Sequence, residues 1–185
     1  MNKGYLPLYL DVIEIIISLL LPIALLYLGF KVERYSQQQE QRYEKAQLKV
    51  KWKFNIITEL LPVLNQIMCY YLYIGDWDST TPRSILQAKQ RCDKLVKMNS
   101  FLWSPEFQDS YSKLMTAAFL EFQGKGQESI LRANRDLHRT SKIWKNDWES
   151  MFVNPEDRLR RRDFQMLYDK MLKHMVIDLD LINDN

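Results

Sequence analysis

Glycine and proline are scarce in this 185-residue chain, at 5 and 6, and cysteine and histidine number two each. So few glycines leave no phosphate-cradling loop or dinucleotide fingerprint. Two cysteines and two histidines make no zinc cluster, so neither metal nor cofactor is expected. Cys69 and Cys92 lie on apolar helical faces without a disulfide framework around them, which points to free thiols in a reducing compartment. The formal net charge of +3 is too small for the whole molecule to act as a polyanion-binding surface. A mean hydropathy of −0.35 excludes a polytopic membrane protein. Strand-like alternation, repeats and low-complexity segments are all lacking. No small-residue cleavage site follows the single apolar run, and the acids inside that run argue against a cleaved signal peptide.

What is present favours helix. Met, Leu, Lys, Glu and Gln are plentiful, the composition of an all-α fold. The segment 11–30 reads DVIEIIISLLLPIALLYLGF. On a helix, Asp11, Glu14, Ser18, Pro22 and Gly29 fall within an arc of roughly 80°, which Leu25 shares, and aliphatic residues cover the rest. A plain anchor has no need for such a face; a helix that meets copies of itself or lines a wet channel does. The uninterrupted run 15–30 is about 24 Å long at ~1.5 Å per residue, short for a ~30 Å hydrocarbon core. Extending it back to Leu8 brings both acids towards the bilayer, where partners, water or protonation must offset a cost of ~2.5–3.5 kcal/mol per central charge. Pro22 cannot bond back to the Ser18 carbonyl, a further polar group needing company. In the plainer alternative the bilayer begins near Ile15 and both acids sit among headgroups at the helix N-terminus. The pore-lining candidates are Asp11, Glu14, Ser18 and Pro22.

Only Lys3 precedes the run, whereas Lys31, Arg34, Arg42, Lys45, Lys49, Lys51 and Lys53 follow it. The positive-inside rule therefore predicts a single-pass protein of the cell membrane with a cytoplasmic C-terminal domain. Residues 1–30 are read as a transmembrane helix, 31–54 as a polar stalk helix continuing from it, and 55–185 as a cytoplasmic bundle of four or five helices. The apolar stripe of Ile57, Leu60, Leu61, Leu64, Met68, Tyr71 and Leu72 opens the bundle. Thr81-Pro82, Ser104-Pro105 and Asn154-Pro155 each write a cap residue followed by proline, a helix-start signal. One helix is predicted from Pro105 to Gly124, another over 127–152 with Ile130, Leu137, Trp144, Trp148 and Met151 inward, and a last one after Pro155.

One constellation carries chemistry: Arg132-Ala-Asn-Arg-Asp-Leu-His138. Arginine, then four to six residues, then histidine, on a helix of a small four-helix bundle, resembles the HEPN ribonuclease motif. The resemblance implies acid–base work for His138 on an RNA 2′-hydroxyl and charge stabilisation by Arg132, with Asn134 one step after the motif's usual polar position. Ala133 stands where that family usually has the polar residue. Six residues also set Arg132 and His138 about 120° apart on a regular helix. Both weigh against nuclease activity. The plainer alternative is a solvated basic stripe with His138 at the core margin. A second basic cluster, Arg158, Arg160, Arg161 and Arg162, fits an acidic partner, RNA or ordinary surface; Asp178, Asp180 and Asp184 of the tail are candidate partners.

A chain with one N-terminal spanning helix, a helical cytoplasmic domain and a divergent HEPN-like motif resembles the small membrane accessory proteins of type VI-B CRISPR systems. That resemblance implies a bacterial inner-membrane protein acting in antiphage defence. It implies a ring-shaped homo-oligomeric pore that depolarises the membrane once the RNA-guided RNase effector has sensed phage RNA. A membrane-tethered HEPN ribonuclease and a single-pass scaffold are the alternatives.

Overall fold

A computed structural model describes residues 6–121 and 129–179, with the side chains of 6–17, 19, 21 and 24 outside that description. Two compact units divide the chain, Met1–Lys49 and Val50–Asn185. The protein is mostly helical, as its composition predicts. Helix α1, Leu6–Leu72, runs through the apolar segment, the polar stretch and the first stripe of the core.

In the first unit every described side chain of α1 is exposed. Leu20, Ile23, Leu25, Leu26, Tyr27, Leu28 and Phe30 are each more than half exposed. Among the described residues no helix is long and apolar enough to cross a membrane, and much of the apolar run falls on side chains outside that set.

The second unit holds the core. From Ile57 onward α1 turns Leu60, Val63, Leu64, Ile67, Tyr70 and Tyr71 inward, at spacings of three and one that keep a single face. Helix α2, Pro82–Met98, contributes Ile85, Leu86, Cys92 and Val96; α3, Pro105–Ala118, contributes Phe107, Tyr111, Leu114 and Met115. Helix α5, Arg161–Asp178, packs along α3 with Phe164, Tyr168, Met171 and Met175. Tyr71 stacks on Phe164 with ring centroids 4.6 Å apart, and its hydroxyl donates to the Ala118 carbonyl. Both cysteines are free, and burial pushes the Cys92 thiol up to about 12.

Two of the three cap–proline pairs work as expected. Thr81 Oγ1 accepts from Ser84 N at 3.1 Å, and Ser104 Oγ accepts from Phe107 N at 3.1 Å. The third does not. Asn154 makes no side-chain cap bond, Pro155–Asp157 is a single 3-10 turn, and α5 starts only at Arg161. The Leu159 N–H is held by the Arg132 carbonyl at 2.7 Å, which draws 158–160 into extended chain.

The helix predicted over 127–152 is absent from the described part of that range. Strand β1, Phe119–Leu120, pairs antiparallel with β2, Ile130–Leu131. After β2 come a one-turn helix α4, Arg135–His138, and a 3-10 stretch, Asn146–Met151. Individual burial shifts as well. Leu61 and Leu137 are exposed, whereas Ile67, Tyr70 and His138 are buried. The end of the helix predicted after Pro105, with Phe122 and Gly124, lies outside the described residues.

Candidate functional site

The segment carrying the arginine–histidine motif is held by backbone bonds rather than by a helix. Arg132 N–H donates to the Ala118 carbonyl at 2.9 Å, continuing the β1–β2 ladder by one residue. Val153 N–H donates to the Leu131 carbonyl at 2.9 Å. These bonds and the Leu159–Arg132 bond bring 152–159 alongside the motif. Asn134 is the N-cap of α4, its Oδ1 accepting from Asp136 N at 3.2 Å, so helix begins only beyond it. Arg132 therefore lies ahead of α4 and His138 at its end, and the 120° separation computed for one continuous helix does not apply. Ala133 is buried at 2 % exposure, a position where a polar side chain needs a partner.

His138 is enclosed, at 3 % exposure. Its ring stacks on Tyr70, with centroids 3.9 Å apart and planes 14° apart. Tyr73, Trp77 and Phe152 complete the wall, with centroids 5.2, 5.5 and 5.6 Å away. Burial pushes the His138 pKa down to about 4, and it holds the Tyr70 phenol above its ordinary value. Among the described residues, His138 Nε2 has no hydrogen-bond partner, and neither do Tyr70 Oη and the Nε atoms of Arg132 and Arg135. A general acid–base must be reachable and must titrate near its working pH. This histidine is neutral at pH 7 and walled in by aromatic rings. Arg135 and Arg139 converge on Glu149, the former at 3.5 Å.

The second basic cluster lies beside the same segment. A pocket of about 280 Å³ is lined in part by Tyr73, Asn134, Arg158, Arg160 and Arg161. Arg160 is the residue before α5, and its Nε lies 3.4 Å from Asp163. Arg162, the fourth member, does not line the pocket. Tyr73 adopts φ +57°, just past the end of α1, a left-handed position more often filled by glycine and strained here by about 1 kcal/mol. Burial raises its pKa, opposed by the Asn134 N–H and by the charges of Arg158 and Arg161. Sequence reasoning missed Tyr73; its only signal was its position two residues before Gly75, itself at φ +58°.

The remaining expected residues fall elsewhere. Asp178 is engaged away from the arginines: its carboxylate accepts from Ser104 N at 2.8 Å, and its carbonyl accepts from Lys53. Asp180 and Asp184 lie outside the described residues, as do the side chains of Asp11 and Glu14. Ser18 and Pro22 are exposed on α1. Among the described residues no group of three or more His, Cys, Asp or Glu could hold a metal ion. In comparisons with known proteins, no family model, no curated protein and no solved structure matches this chain.

Proposed function

We propose that the chain is a membrane-anchored accessory protein of antiphage defence whose N-terminal helices assemble into a homo-oligomeric pore. The observation that carries the anchor is the exposure of seven large apolar side chains between Leu20 and Phe30. Left in water, such surface costs about 25 cal/mol per Å², and a bilayer relieves it. The basic residues from Lys31 to Lys53 favour a cytoplasmic domain. The shared arc of Asp11, Glu14, Ser18 and Pro22 supports assembly around a wet axis, with a carboxylate ring that attracts cations. The biological setting, activation by an RNA-guided CRISPR RNase effector in the bacterial inner membrane, rests on the resemblance to type VI-B accessory proteins. Ion flux through liposomes holding the full chain tests the lumen. Asp11→Asn and Glu14→Gln are expected to lower cation flux, most strongly together. Conductance unchanged by all three variants removes the lumen assignment.

The alternative of a tethered HEPN ribonuclease draws on Arg132 and His138. The enclosure of His138 and its depressed pKa weigh against it. RNA cleavage by the purified protein that disappears in His138→Ala would restore it.

A further inference from the structure

The pocket beside Tyr73 joins two clusters that are 20 or more residues apart in the chain, and it concentrates charge of one sign. Arg158, Arg160 and Arg161 line it together. Arg160 has Asp163 as an ion-pair partner, whereas Arg158 and Arg161 have none within 4 Å among the described residues, although Glu156 and Asp157 are near in sequence. Both arginine side chains are exposed at the rim of the pocket. The charges of Arg158 and Arg161 both act on the phenol of Tyr73, which lines the same pocket as Asn134. The geometry is built rather than accidental. The Leu159–Arg132 bond at 2.7 Å fixes the arginine segment against the motif loop, and Arg161 starts α5.

We propose that this pocket binds a small molecule bearing a terminal phosphate monoester, with Arg158 and Arg161 holding the phosphate. Guanidinium forks match phosphate oxygens and form charge-assisted hydrogen bonds about twice as strong as neutral ones. A volume of about 280 Å³ lies near the lower end of ligand pockets, which suits a mononucleotide and not a duplex. Tyr73 and Leu137 supply the apolar wall such a ligand needs beside its phosphate. The site shares Ala133, Asn134 and Leu137 with the motif segment, but neither Arg132 nor His138 lines it, and it stands whether or not the chain forms a pore.

Calorimetric titration of the detergent-solubilised full chain, at fixed salt of ~0.15 M, tests the proposal. The probes are AMP, glycerol 3-phosphate and uncharged adenosine. Both phosphates are expected to bind and adenosine is not. The double variant Arg158→Gln/Arg161→Gln is expected to weaken binding by about tenfold or more. Arg162→Gln makes a single charge change outside the pocket and is expected to alter it by less than about twofold. All three arginines are exposed, so the variants keep the parent's thermal midpoint. AMP binding tighter than glycerol 3-phosphate identifies a nucleotide as the source of the phosphate; equal binding identifies recognition of the phosphate itself, as on a lipid headgroup. Binding of neither phosphate, or equal weakening by Arg162→Gln, overturns the site.

Discussion

At position 138 a histidine occupies a place that an apolar ring would fill more cheaply. It stacks on Tyr70, and among the described residues its Nε2 has no hydrogen-bond partner, so burial of the ring's area comes with an unsatisfied polar atom. The consequence is a pH dependence with a definite sign. In the unfolded chain the imidazole titrates near its ordinary value of 6.5, in the fold at about 4. Its contribution is intact above pH 6.5. As pH falls below that value the unfolded chain takes up a proton that the folded chain refuses, and stability declines until about pH 4, where the loss levels off. By pH 5 the loss is about 2 kcal/mol. His138→Phe keeps the stacking and removes the titration. Urea midpoints at pH 7.5 and pH 5 are expected to separate for the parent by that amount more than for the variant. Parallel profiles for the two proteins would show that His138 is accessible and titrates normally, the condition that catalysis requires.

Among the elements, those bounded by local chemistry were legible in the sequence and those bounded by distant hydrogen bonds were not. Thr81-Pro82 and Ser104-Pro105 state their helix starts in two residues, because an oxygen at N-cap and a proline at the next position act within one turn. Asn154-Pro155 carries the same words but loses to the Leu159–Arg132 bond, which no local pattern announces. The 127–152 stretch has helical composition, yet its described part is claimed by strand pairing to Phe119–Leu120 and by the Asn134 cap. The same competition hid the site. Arg132 and His138 were visible as a motif, but the placing of Asn134, Arg158 and Arg161 around one pocket depends on that tertiary thread. Ser104 offers a test of the legible kind. Its Oγ caps α3 while its backbone N–H donates to Asp178 at the end of α5. Ser104→Ala removes only the first bond and is expected to cost about 1 kcal/mol in denaturant unfolding. Asp178→Ala leaves the Ser104 N–H without its carboxylate and is expected to cost a similar amount. An unchanged midpoint in both would mean that the N-terminus of α3 needs neither bond.

For the whole molecule, the division at Lys49 and Val50 separates two physical regimes. Among the described residues every buried core side chain, from Ile57 to Met175, lies in 50–185, and about 136 residues suffice for an independent domain. Residues 31–49 bury no side chain, so nothing in the core depends on them. The segment 50–185 alone is therefore expected to unfold cooperatively, with a midpoint within a few degrees of the same domain in the full chain. If the N-terminal helices drive assembly, the same truncation also separates folding from oligomerisation. The full chain in detergent is expected to run as a multimer, and 50–185 as a monomer in buffer. Light scattering decides it, since a truncated domain that retains the multimer's stoichiometry would move the assembly contacts into the bundle. They would then have to come from its exposed apolar residues, such as Met98 and Phe101, and the polar arc of the first helix would lose its role in holding the particle together.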